Sequence, residues 1–438
     1  GPGREQVSHR VWLDQGPQRV MVFGANGEYD EELTYSLELE VDTSKAWDPV
    51  TLTLPDYHPE WDPWVKTLFV THRSRMADAY PSSSVEIDLA LSYILGLPEI
   101  GGSVLDLGDL DYAYPFTNTG IISQAYARWD DDRDNPYLAS NVSLLVQDVI
   151  SDAINHSYTN TQYIVIIGDD NIVPFMRIPD KTTVGNELAY RDISGANPGS
   201  AAFGAFDGRF YLTDDCYADS DPLTWPGGRL CVPEMPIGRL VEDPYEIAEV
   251  IRTYDIQQGS LQPFGGEALV SGYDFLTDQA LIVSDTLGAT WPVTPLISDD
   301  WTAIDLYEQW ISGTASLQSI NAHFDHFRAI PADKSQGVLE VAQLSNNQWF
   351  GAVLGFSVGC HSGFNAHDAD FADNGLDFAQ AMAAQGATWI GNTGFGIGDG
   401  SGVSYSEELS ARFAEQLSDG AQAGSVTVGH AFVQAKQD

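Results

Sequence analysis

A cysteine and a histidine stand where two apolar runs stop. Trp349 to Phe356 is apolar and gives way to Ser357-Val358-Gly359-Cys360-His361-Ser362-Gly363-Phe364-Asn365. A buried strand ending in a small-residue turn holds the Cys360 thiol at the rim of a sheet. Upstream, a second run, Leu317 to Ala322, ends in His323. Neighbouring strands ending in His and Cys supply the geometry of a thiolate–imidazole nucleophile. On its own, Cys360 also reads as a buried free cysteine, which is the usual fate of a lone thiol. A second histidine, His326, follows an acid, Asp325, and is the alternative partner. Strand register favours His323, because it falls at the tip of the run.

The elements that would position this pair alternate. Strands are expected at 67–71, 103–107, 163–167, 268–271, 317–322, 351–356 and 388–391. Helices are expected at 84–95, 141–154, 244–257, 278–287, 376–384, 404–417 and 426–437. Strand and helix in alternation argue an α/β fold with a mostly parallel sheet covered on both faces. Ligand sites in such sheets lie at the carboxyl ends of the strands. His323, Cys360 and the Gly168-Asp169-Asp170 turn all sit at such ends. The first 62 residues read instead as a small β-rich segment, with alternating runs at 19–24, 34–41 and 50–54. Residues 181–236 are rich in Gly, Pro and Asp and read as surface loops. The expected layout is therefore 1–62 followed by 63–438, the latter divisible into 63–235 and 236–438.

Composition narrows the partners. The chain has 438 residues, with 63 acids against 20 bases and a net charge of −43. The lysines are Lys45, Lys66, Lys181, Lys334 and Lys436. Nucleic acid is excluded, since phosphate binding needs a basic surface. A membrane span is not expected, because no stretch approaches about 20 apolar residues. So acidic a surface suits saline or extracellular surroundings and attracts cations. Cys216 and Cys231 flank a Pro-Gly segment and either pair or remain free thiols. Pairing leaves Cys360 as the odd, reactive cysteine of a secreted or cell-surface protein. Gly1-Pro2-Gly3 reads as a scar of tag removal, and both ends as processing boundaries. The chain is expected to be part of a larger multidomain or processed precursor.

Five segments between 66 and 438 together resemble the gingipain-like cysteine peptidases of the caspase-fold clan. They are Tyr163 to Asp170 with Ile172 and Pro174; Pro236-Ile237-Gly238-Arg239-Leu240 with Asp243 to Ile247; and Asn321-Ala322-His323. The fourth is Val358 to Gly363. The last comprises Gly386-Ala387, Gly391 to Gly396, Ser406-Glu407, Val428 to Ala431 and Ala435 to Gln437. The resemblance implies a caspase-like sheet and a cysteine endopeptidase working through a Cys360–His323 dyad on a protein or peptide substrate. It implies cleavage after Arg or Lys, with Asp278 flooring the pocket. The loop holding Thr393 and Phe395 would line its wall. Asp278 reads equally as a helix cap, and Phe395 as a core ring. The oxyanion donors would be the backbone N–H groups of Cys360 and Phe324, although the family usually has glycine beside its histidine. No cofactor is required. Structural calcium is compatible with the acidic stretches Asp130-Asp131-Asp132-Arg133-Asp134 and Asp214, Asp215, Asp219 and Asp221, although solvated loops explain them as simply. Two other functions stay open: a sortase-like acyl transferase of the same family, and a non-catalytic surface or binding module.

Overall fold

The computed structural model describes residues 61–110, 120–225, 228–260, 266–344, 350–351, 353–373 and 375–438. Two parallel sheets carry the architecture. The first contains β1 (Thr67–Thr71), β2 (Gly102–Asp106), β3 (Tyr163–Ile167) and β4 (Ile237–Leu240), in the order β2-β1-β3-β4. The second part of the chain gives β5 (Ala268–Gly272), β6 (Val293–Ile297), β7 (Leu317–Ser319), β8 (His323–Asp325), β9 (Arg328–Ile330), β10 (Leu339–Glu340), β11 (Leu354–Phe356) and β12 (Thr388–Ile390). Of these, β6-β5-β7-β11-β12 form the second parallel sheet and β8-β9-β10 an antiparallel ribbon beside it.

Local chemistry explains these elements. The β1 run Thr-Leu-Phe-Val-Thr is buried throughout, as a strand covered on both faces must be. Helix α1 (Pro136–His156) begins with Asn135 accepting from the amides of Tyr137 and Leu138, and with Pro at its first position. Further on, α2 (Glu187–Ser194) is capped by Asn186. A capping box between Asp243 and Glu246 starts α3 (Pro244–Ile256). The remaining helices that matter here are α4 (Thr277–Gly288), α5 (Phe378–Ala384), α6 (Ser406–Gln422) and α7 (Val428–Gln437).

Both faces of the second sheet are packed. Phe356, Val283, Phe413 and Leu417 fill one side, against α4, α6 and α7. Trp310, Phe324, Phe378 and Met382 fill the other. This is the mixed α/β, mostly parallel arrangement expected.

Three expectations need correction. Residues 181–236 hold helices at Glu187–Ser194 and Ala201–Asp207 and a strand at Phe210–Thr213, not loops alone. These elements are too short to show a clear period. The strands at 237–240 and 293–297 were not anticipated. β4 completes the first sheet by pairing with β3. Finally, the strand running toward His323 stops at Ser319. The Asn321 amide then bonds the Ser271 carbonyl and the Ser319 hydroxyl and turns the chain away. The β readings at 19–24, 34–41 and 50–54 lie outside the described residues.

Cys216 and Cys231 are joined by a disulfide, with Cα atoms 5.0 Å apart. Cys360 is free. A structural disulfide fits an oxidising, extracellular setting. Among the described residues, no helix is long and apolar enough to cross a membrane.

Candidate functional site

Strand register brings the pair together. β7 and β11 are parallel neighbours, with Ser319 opposite Phe356. His323 and Cys360 stand equally far along the chain beyond that pair. Both line one pocket, with Phe275, Leu276, Ala322, Gly359, Ile397 and Glu407 also in its walls. Gly359 is required by close approach. A Cβ there would lie 2.3 Å from the Phe324 ring. The Phe324 ring thus seats the nucleophile turn against β8.

Cys360 is partly buried, and its Sγ lies 3.6 Å from the Gly396 carbonyl, to which the thiol donates. Burial pushes the thiol above its ordinary range; the Gly396 contact opposes this, while Asp325 and Glu187 add to the rise. In the free protein the sulfur is therefore held as a thiol.

His323 is on the open side. Its side chain is 37% exposed, and its Nε2 is 3.7 Å from Asp274 Oδ2. Its ring packs edge-on to Tyr273 at 5.5 Å. Asp274 has φ 55 and comes two residues after the end of β5. No third residue is expected from the sequence; in the structure the acid facing His323 is Asp274. The signal was available only as a strand-end acid.

His326 lies elsewhere. It is fully buried, with Nδ1 2.6 Å from the Tyr190 hydroxyl, among Phe327, Phe364 and Phe371. His361, next to the nucleophile, is also fully buried. It has φ 55, stacks on Tyr190 with centroids 3.4 Å apart, and meets Glu187 at 2.8 Å. The other Glu187 oxygen accepts from the Phe395 amide at 3.1 Å. One buried carboxylate thus braces both the Cys360 turn and the Gly394–Gly396 loop.

The three expected specificity residues are not in the pocket lining. The Thr393 hydroxyl donates to the Leu212 carbonyl. The Phe395 ring packs on His361 at 4.8 Å. Asp278 is the second residue of α4 and its Oδ1 accepts from the Gln279 amide. Phe324, the expected oxyanion donor, lies opposite Ala329 in the ribbon. The pocket's own acid is Glu407, singled out earlier only as part of a motif. It is 1% exposed, and its Oε1 has no hydrogen-bond partner. Its Oε2 accepts from the Asp399 amide at 3.1 Å. A Cβ on Gly398 would sit 2.7 Å from Oε1, so only glycine lets the loop pass over this carboxylate. Burial raises the Glu407 pKa, opposed by its two backbone hydrogen bonds and reinforced by Asp278 and Asp399 nearby.

The acidic stretches are mostly committed. Asp130 pairs with Arg75 and Arg133, Asp214 with Arg239, and Asp215 with Lys436. Asp219 and Asp221 converge with Glu234 within 4.8 Å.

No family model and no curated protein sequence matches this chain. Among solved structures, a crystal structure of the Arg-specific cysteine proteinase gingipain R (RGPB) aligns at TM-score 0.49 and 14% identity. That alignment covers 86% of this chain and 73% of the other. A complex of Porphyromonas gingivalis RgpB pro- and mature domains aligns at TM-score 0.49 and 13% identity, over 84% and 73%. A third, described as a protease structure, aligns at TM-score 0.43 and 13% identity, over 85% and 76%. What the site does chemically has to come from its own side chains.

Proposed function

We propose that this chain is a cysteine endopeptidase acting through Cys360 and His323. The observation that carries this reading is the pocket shared by a free cysteine and a partly exposed histidine, each four residues beyond a pair of adjacent parallel strands. Substrate entering the pocket displaces the Gly396 contact. The thiol proton passes to His323 as sulfur attacks the peptide carbonyl. Asp274 steadies the imidazolium. His323 then protonates the leaving amine, and later takes a proton from the water that opens the acyl-enzyme. The Cys360 backbone N–H is the proposed oxyanion donor.

The side chain before the scissile bond is proposed to be Arg or Lys. Its contact is Glu407, the acid of the pocket lining, with Asp278 adding to the negative field. A fluorogenic peptide panel varying that residue tests both parts, run on wild type, C360A and H323A. Product analysis with an added amine distinguishes hydrolysis from acyl transfer. Turnover retained in C360A would remove the proposal.

A further inference from the structure

A second cluster lies where the first sheet meets the loop that follows Cys360. Asp169 follows β3 and Glu242 follows β4, so both stand at carboxyl ends of adjacent strands. That is where ligands bind in open α/β sheets. His367 and Asp368 come from the loop after the nucleophile, and Asp377 caps α5. Asp169, Glu242 and Asp377 are each about 99% or more buried. Among the described residues, no Lys or Arg pairs with any of these three, nor with Asp368 or Glu246 beside them. Burying carboxylates without a cation is costly.

The hydrogen bonding does not close either. The Tyr80 hydroxyl reaches Asp169 Oδ2 at 2.9 Å and Glu242 Oε1 at 3.0 Å, yet it has one proton. The Asn365 side-chain amide donates to Glu242 Oε2 at 3.3 Å and Asp377 Oδ2 at 2.9 Å. Flipping it would aim its oxygen at two carboxylates, so this orientation is the right one. Its Oδ1, in a residue 1% exposed, then has no donor. The Gln380 Oε1, in a residue 5% exposed, is likewise unpartnered, while its Nε2 donates to Glu246 at 3.3 Å. The carboxylates thus share few donors, Tyr80 offering one proton to two of them, and a cation satisfies carboxylates without needing a proton.

We propose that Asp169, Glu242 and His367 bind one divalent transition-metal ion, Zn²⁺ or Mn²⁺. A ligand atom from each lies within 4.8 Å of the others. Two carboxylates with one imidazole suit these ions better than an all-oxygen shell would. The His367 ring is already fixed, stacked on Tyr80 with centroids 5.6 Å apart and planes at 13°. Its Nδ1 accepts from the Ala369 amide at 3.0 Å. Ligation through Nε2 moves the ring proton to Nδ1 and gives that exposed amide to water. Bound there, the ion ties the first sheet to the loop that leaves the nucleophile. It is a structural site and does not depend on the peptidase reading.

The test is metal binding to the full chain carrying C360A, so that neither catalysis nor self-cleavage enters. After chelator treatment, Zn²⁺, Mn²⁺ and Ca²⁺ are titrated separately by calorimetry and thermal unfolding. One equivalent of Zn²⁺ or Mn²⁺ should bind, raising Tm by several degrees. H367A, at a half-buried ring, should weaken that binding by at least about tenfold, and E242Q by more. D221N, in the Asp219–Glu234 group, should leave it unchanged. The proposal is overturned by no one-to-one binding of Zn²⁺ or Mn²⁺, or by binding that survives H367A undiminished. If E242Q does not fold, H367A decides alone. Loss of peptidase activity in C360A with metal binding intact keeps the two proposals separate.

Discussion

The turn carrying Cys360 has an open side and a closed side, built from the same residue types. On the open side His323 faces Asp274 at 3.7 Å, with its side chain 37% exposed. On the closed side His361 meets Glu187 at 2.8 Å, fully buried beneath Tyr190. Both are histidine–carboxylate pairs, and both are next to the thiol. Only the open one reaches solvent. The closed one joins two loops through a hydrogen bond that cannot be traded for water. Burial, not residue type, separates the two pairs, and the proposed chemistry falls to the exposed one.

The largest effect expected separates the two sides outright. C360A should abolish cleavage with the fold intact by circular dichroism. H323A should cost roughly 10² or more in kcat/KM at unchanged Tm, the scale of a general acid–base group. H326A should do the reverse. Its ring fills a pocket of Phe327, Phe364 and Phe371 and bonds Tyr190, so Tm should fall. An H326A variant that folds normally and is dead would assign the wrong histidine to the open side.

Next in size is the closed pair. E187A leaves His361 buried opposite nothing and frees the Phe395 amide. Leaving a buried hydrogen-bonding group unsatisfied typically costs about 1–3 kcal/mol. E187Q keeps an acceptor for the Phe395 amide and should lose less. Thermal unfolding of both checks this. Equal Tm for E187A and wild type would show that the pair is not framework.

Much of this was legible in the sequence, and the reason is periodicity. The β3 run Tyr163–Ile167 and the helix start at Asp243-Pro244 signal themselves through apolar runs and capping chemistry. Cys360 was legible because a thiol after a buried strand is conspicuous. What escaped depends on contacts between segments distant in the chain. Glu407 becomes a pocket residue only because Gly398 lets a loop pass over it. Asp274 faces His323 only because β5 and β7 are neighbours. Phe395 was placed in the pocket wall by loop membership, while its ring packs on His361 beneath the turn. The buried state of His326 is likewise decided by Tyr190, far away in sequence.

Specificity gives a smaller effect, on the open side alone. E407Q should reduce the preference for Arg or Lys about tenfold or more, and D278N less, since Asp278 is outside the pocket lining. Because Glu407 titrates above the ordinary carboxylate range, its charge is lost as pH falls through that raised value. Discrimination between Arg and its neutral isostere should therefore fade at a higher pH than about 4.3, the usual Glu value. It should resist salt, unlike attraction by the general acidic surface, which is screened beyond about 10 Å at 0.1 M. Discrimination that disappears in high salt and survives E407Q would move the determinant to the surface field.

The smallest effect belongs to Asp274. At 3.7 Å and 66% exposed, its pairing with protonated His323 is worth little, since exposed pairs contribute about 0–1 kcal/mol. D274N should therefore lower kcat a few-fold with little change in KM, and the loss should shrink as salt rises. The alkaline limb of the rate profile is the finer readout. Thiol ionisation is already pushed up by burial, so alkylation of Cys360 in the free protein should be slow at pH 6 and accelerate above the ordinary thiol range. D274N removes a charge that favours the imidazolium and should shift the profile without touching Tm. A loss as large as that of H323A would mean that Asp274 holds the imidazole in place, as Glu187 does on the closed side. The contrast between the two sides would then narrow to solvent access.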